Sequence, residues 1–154
     1  MWLVGIHGGA GTTTLAAAGV GEDGGRRWPK QPPAAETRQS PAGEDLPIGG
    51  LLLVVRETAA GLKVATKAAE AVQRGQIPDW LQVLGMVVVA AGPGRPARLV
   101  RERTALVGGW MPEVWRVPWV PELLALDTHQ VRDCKPFQAA IPTSLYELQE
   151  LRRK

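Results

Sequence analysis

The run His7-Gly8-Gly9-Ala10-Gly11-Thr12-Thr13-Thr14 carries the densest chemistry in the sequence. Glycines at 8, 9 and 11 let successive backbone N–H groups converge on one point. A helix starting near Thr12 would add its positive end there. An oxyanion, above all a phosphate, is what such a loop holds. His7 could touch that anion when protonated; equally, it reads as a loop residue held by backbone hydrogen bonds. Arg95, Arg98, Arg101 and Arg103 form a second group. Arg95 falls in a loop, and its planar guanidinium suits phosphate. The group as a whole reads better as a solvated basic helix face with Glu102 interspersed. Trp110, Trp115 and Trp119 crowd a short stretch. Trp119, between Pro118 and Pro121, could stack on a base or anchor a partner. We expect it instead to be mainly buried and structural.

Other chemistries lack their residues. One cysteine, Cys134, gives no internal disulfide, and with two histidines the chain is too poor in soft ligands for a zinc centre. Ser40 and Ser144 have no His or Asp partner in motif, so nucleophilic catalysis has no support. Net charge is +3, too mild to be a nucleic-acid footprint by itself.

The elements that must position the glycine loop are legible in the hydrophobic pattern. Trp2–Ile6 is a short apolar run, and Thr12–Ala18 is helix-forming, so the loop sits in a strand-loop-helix unit. Leu51–Val55 is an uninterrupted apolar run, as expected for a strand covered on both faces. Ala59–Arg74 reads as a helix with Leu62, Ala65, Ala69 and Val72 on one face, stopped by Gly75. Val83–Ala90 is a further strand. The turn Gly92–Pro96, a helix over 97–107 and a strand over 113–117 follow. Residues 19–49 break all periodicity and read as a long flexible insertion. Strands alternating with helices predict an α/β, three-layer domain with a mainly parallel sheet of about four strands over residues 1–126. Residues 127–154 read as a C-terminal tail with a helix at about 144–153. Ligands of such sheets sit at the carboxyl ends of the strands, which is where the glycine loop lies.

The loop resembles the deviant phosphate loop of the MinD/ParA group of P-loop NTPases, whose run is Lys-Gly-Gly-x-Gly-Lys-Thr-Thr. Gly8, Gly9, Gly11, Thr13 and Thr14 match it. Weaker likenesses are the strand and turn at 53–62, the base-side strand at 84–89 and the Pro118–Glu122 loop near the base. His-Gly-Gly-Ala-Gly-Thr, Arg27-Trp28-Pro29 and Trp115-Arg116-Val117-Pro118-Trp119 are similar to features of a short bacterial MinD-like family linked to mobile elements. The resemblance implies a P-loop-like fold and a nucleotide site over Gly8, Gly9, Ala10, Gly11, Thr12, Thr13 and Thr14. It implies ATP and Mg²⁺ as cofactors, with Thr13 at the metal-ligand position. His7, Arg95 and Trp119 would be auxiliary.

Three departures from the family pattern point to degeneracy. Thr12 replaces the loop lysine, His7 replaces the second lysine, and residues 19–49 show no apolar strand ending in Asp to help hold Mg²⁺. The leading expectation is a degenerate P-loop protein with weak or absent nucleotide binding. It would act as an accessory or interaction module in plasmid or mobile-element maintenance, with a protein partner or as a homodimer. The alternatives are an active ATPase whose missing charge comes from Arg95 or a dimer partner, and a DNA-associated adaptor using the Arg-rich surfaces at 95–103 and 152–154, although DNA binding is expected to be weak. No apolar run reaches membrane-span length, and Trp2–Ile6 reads as a strand rather than a signal peptide. A cytoplasmic location is therefore expected.

Overall fold

The computed structural model describes residues 1–30 and 49–153. Trp2–Gly5 forms β1, Glu22–Asp23 β2, Gly49–Arg56 β3, Leu81–Val89 β4 and Val114–Val117 β5. All pair in parallel, in the spatial order β2-β1-β3-β4-β5. The expected α/β sheet is present, with five strands rather than about four. The extra one is β2. It has two residues, both acidic, so it leaves no apolar run in the sequence. Most of the insertion expected at 19–49 lies outside the described residues. Its first part runs beside β1, through Glu22 N–H to Met1 O and Gly24 N–H to Leu3 O.

The helices are Thr12–Ala17 (α1), Ala59–Gln73 (α2), Arg98–Gly108 (α3), Lys135–Ala140 (α4) and Thr143–Arg153 (α5). Two 3-10 turns, Pro121–Ala125 and Thr128–Asp133, follow β5. The long helix α2 starts and stops on local chemistry. The Thr58 hydroxyl accepts from Gly61 N–H at its start. At its end Gly75 takes φ 66°, Gly75 N–H bonds Val72 O and Gln76 N–H bonds Ala71 O. That left-handed glycine closure satisfies carbonyls the helix leaves open.

β3 is the central strand, and its side chains alternate between two cores. Leu52 and Val54 join Leu3, Leu15, Val87, Trp115 and Val117 on one face. Leu51, Leu53 and Val55 join Leu62, Ala65, Ala69, Met86 and Val107 on the other. Both faces are thus covered, which is why this strand reads as a continuous apolar run. The segment after residue 126 supplies Val131, Phe137, Ile141 and Leu145 to the first core. Trp115 Nε1–H donates to Ser144 Oγ at 2.9 Å and pins α5 to β5. Truncating a fully buried core leucine such as Leu52 costs about 2–5 kcal/mol.

The chain leaves β1 towards β2 on one side and returns at β3 to build the sheet on the other. The order therefore reverses between β1 and β3. Their carboxyl ends flank the crevice where open parallel sheets bind ligands. Among the described residues, no helix is long and apolar enough to cross a membrane.

Candidate functional site

The glycine loop closes tightly on the end of β1. A Cβ on Gly5 would stand 3.1 Å from Thr12 Cγ2 and 3.3 Å from Ala10 Cβ, so only a bare backbone lets the loop fold back. Gly9 and Gly11 take φ of 74° and 105°, which other residues adopt with strain. Ala10 is buried and holds the loop to the core beside Leu15, while Gly8, Gly9 and Thr13 stay exposed. Gly11 is the N-cap of α1 and offers no side-chain cap. Among the described residues, the N–H groups of Thr12, Thr13 and Thr14 have no acceptor. In contrast to α2, this helix start is left open to an outside acceptor.

Asp23 reaches the site from β2. Thr13 Oγ1–H donates to Asp23 Oδ2 at 2.6 Å, and Gly25 N–H donates to Asp23 Oδ1 at 2.9 Å. This corrects the expectation that no acidic strand end accompanies the loop. The strand exists and ends in Asp23, but it is too short to show as a hydrophobic pattern. Among the described residues, no group of three or more His, Cys, Asp or Glu could hold a metal ion. A hydroxyl and one carboxylate fit the different habit of Mg²⁺, which takes one or two protein ligands and completes its octahedron with phosphate and water.

Two arginines flank the loop. Arg56, at the end of β3, donates from Nη1 to Gly9 O at 3.3 Å. Arg26 Nη1 lies 3.6 Å from where a Cβ on Gly8 would stand. Sequence reading missed both. Nothing in their local context marks them, since the pairing of β3 with β1 and the turn after β2 bring them there. Arg95, the expected source of the missing charge, lines a separate cavity with Glu57 and Arg116. Arg98 pairs with Glu102 at 2.6 Å on the exposed face of α3. The four arginines of 95–103 are thus not gathered at the loop.

His7 is spoken for by the backbone. Arg56 N–H donates to His7 Nε2 at 3.0 Å, so Nδ1 carries the proton and donates to Gly8 O at 2.8 Å. In this arrangement the ring ties the end of β1 to the end of β3 and offers no donor to an anion.

A cavity of about 240 Å³ opens beside the loop, lined by Gly11, Thr14, Arg56, Ala90, Pro118, Trp119 and Phe137. It is smaller than the ~300–1,000 Å³ typical of drug-sized ligand sites. Trp119 is half-buried on its wall rather than filling it, so the expectation of a mainly buried ring holds only in part. Ala90 offers no side-chain hydrogen bond for reading a base. The arrangement can cradle an oxyanion, set two guanidiniums near the loop that holds it and cover a flat apolar group with an indole. Compared with protein-family models, curated proteins and solved structures, the chain matches none.

Proposed function

We propose that this protein is a degenerate P-loop-like module that binds a phosphate-bearing ligand, a nucleotide with Mg²⁺, at Gly8–Thr14 without efficient turnover. The pairing of Thr13 with Asp23 beside an exposed, uncapped glycine loop is the observation that carries this reading. It puts a hydroxyl and a carboxylate together next to the glycine loop, where Thr13 and Asp23 would hold a Mg²⁺ that neutralises phosphate charge. Arg56 and Arg26 supply the positive charge that Thr12 and His7 lack. Trp119 gives the base an apolar wall but Ala90 gives it no polar partner, so discrimination between bases is weak. Turnover is slow, because phosphoryl transfer depends on charges placed on the transferred group and on an oriented water. Such a protein acts by being loaded or empty. An accessory or interaction role in plasmid or mobile-element maintenance follows from the MinD/ParA resemblance.

Calorimetry with ATP, ADP and GTP, with and without Mg²⁺, tests the reading. Binding that strengthens with Mg²⁺ and weakens at least tenfold in Arg56→Gln supports it. Absence of heat with all three nucleotides at millimolar concentration refutes it.

A further inference from the structure

β5 is covered on one face only. Trp115 and Val117 enter the first core, while Val114 and Arg116 alternate onto the opposite face and remain exposed. What lies over that face is an open groove of about 730 Å³ between β5, α3 and the 94–96 turn. Arg95, Arg101 and Arg116 line it, and Glu57 is its one acidic residue. That carboxylate is already taken. Arg116 Nη2 donates to Glu57 Oε2 at 2.7 Å, and the Glu57 side chain is only 4% exposed. Three permanently charged guanidiniums therefore face one carboxylate that is satisfied by one of them.

Arg101 adds an independent observation. Its Nη1 is shut off from solvent and has no acceptor, the one buried side-chain nitrogen or oxygen in that state among the described residues. A buried N–H with no acceptor is costly. Turning the guanidinium outwards to an anion in the groove removes that cost and uses its planar fork. Val114, Pro96 and Ala105 give the groove an apolar floor beside its charges.

We propose that this groove is a second binding site, for a small organic oxyanion held by Arg101, Arg95 and the outer edge of Arg116. The shared chemistry is a planar or tetrahedral oxyanion on a compact apolar body, either a carboxylate or a phosphate ester. The site is separate from the glycine loop and does not depend on nucleotide binding there.

The test follows the Nε–Hε NMR signals of Arg101 and Arg116 in the full chain. Inorganic phosphate and, separately, citrate are titrated in at constant ionic strength, with chloride as reference. Arg56→Gln, which weakens the glycine loop and lies outside the groove, serves as background, so that phosphate taken up at the loop is told apart. Saturable shifts with either probe support the proposal; phosphate alone identifies a phosphate site, and citrate alone a carboxylate site. Arg101→Gln should weaken the saturable binding seen at Arg116 at least tenfold. Arg101→Lys, which keeps the charge but loses the fork, should weaken it several-fold. Arg132→Gln, outside the groove, should leave it unchanged. Linear shifts equal to those in chloride with both probes, or unchanged affinity in both Arg101 variants, overturn the proposal.

Discussion

Arg56 and Glu57 are consecutive in sequence, yet they tie the end of β3 to opposite sides of the sheet. Arg56 donates to Gly9 O in the loop after β1, and its N–H is received by His7. Glu57 pairs with Arg116 on β5, two strands away in the other direction, while its N–H bonds Val89 O on β4. The two residues thus join the glycine loop and the arginine groove through one peptide unit. This explains why Arg95 does not serve the loop. It lies with Glu57 and Arg116, beyond β3 from the loop.

The Thr13–Asp23 bond is exposed, so its removal changes stability little, by about 1 kcal/mol or less. Thr13→Ala and Asp23→Asn should both remove the Mg²⁺-dependent part of ATP binding while the Mg²⁺-free affinity stays within about threefold. Paired titrations by calorimetry check this. If Mg²⁺ strengthens ATP binding equally in wild type and both variants, the metal is not held by this pair.

Restoring the lysine provides a gain-of-function test. Thr12→Lys should strengthen ATP binding about tenfold, the increment of one charge-assisted contact. ATP hydrolysis should remain at background in both proteins, since the substitution restores one phosphate contact and leaves the second lysine position as His7. Turnover in wild type that disappears in Thr13→Ala would show that the site is an active NTPase.

Trp119 is half-buried, so its truncation should cost less than the ~3–5 kcal/mol of a fully buried aromatic. We expect about 1–2 kcal/mol by urea unfolding, together with a several-fold loss of nucleotide affinity. A full-sized stability loss with unchanged binding would return Trp119 to a purely structural role.

Arg116→Ala leaves the Glu57 carboxylate buried without its partner. The expected loss is about 1–2 kcal/mol, below that of a fully buried pair, because Arg116 is half exposed and its removal lets water reach the carboxylate. Glu57→Gln in the same background should recover part of it. Urea melts of the single and double variants measure this coupling, and equal losses in both would show that the buried charge is not the cause.

Tyr146 gives a pH signature. Burial raises its pKa above the ordinary 10.0, and its hydroxyl donates to Gln138 Oε1 at 2.6 Å. The folded state therefore keeps its phenol proton where the unfolded chain releases it. The contribution is fully present below about pH 10 and is lost as pH rises through the raised folded value. Stability measured between pH 9 and 11 should fall, and Tyr146→Phe should flatten that slope.

The local chemistry of this chain is legible in its sequence. The glycine loop between an apolar run and a helix, the apolar run of β3, the α2 helix with its Gly75 stop and the alternation of strands with helices all depend on side-chain period and turn residues within a few positions. Those signals predict an α/β sheet with the loop at its carboxyl edge. The tertiary structure decided what surrounds the loop. Asp23 meets Thr13 across ten residues, Arg56 meets Gly9 across 47, and Arg116 meets Glu57 across 59. Each meeting depends on strand order and register, which are fixed by how two hydrophobic faces are buried together and not by any local pattern. β2 shows the limit most plainly. Two acidic residues have no propensity to announce a strand, and they form one because β1 offers an open edge where their backbone can pair.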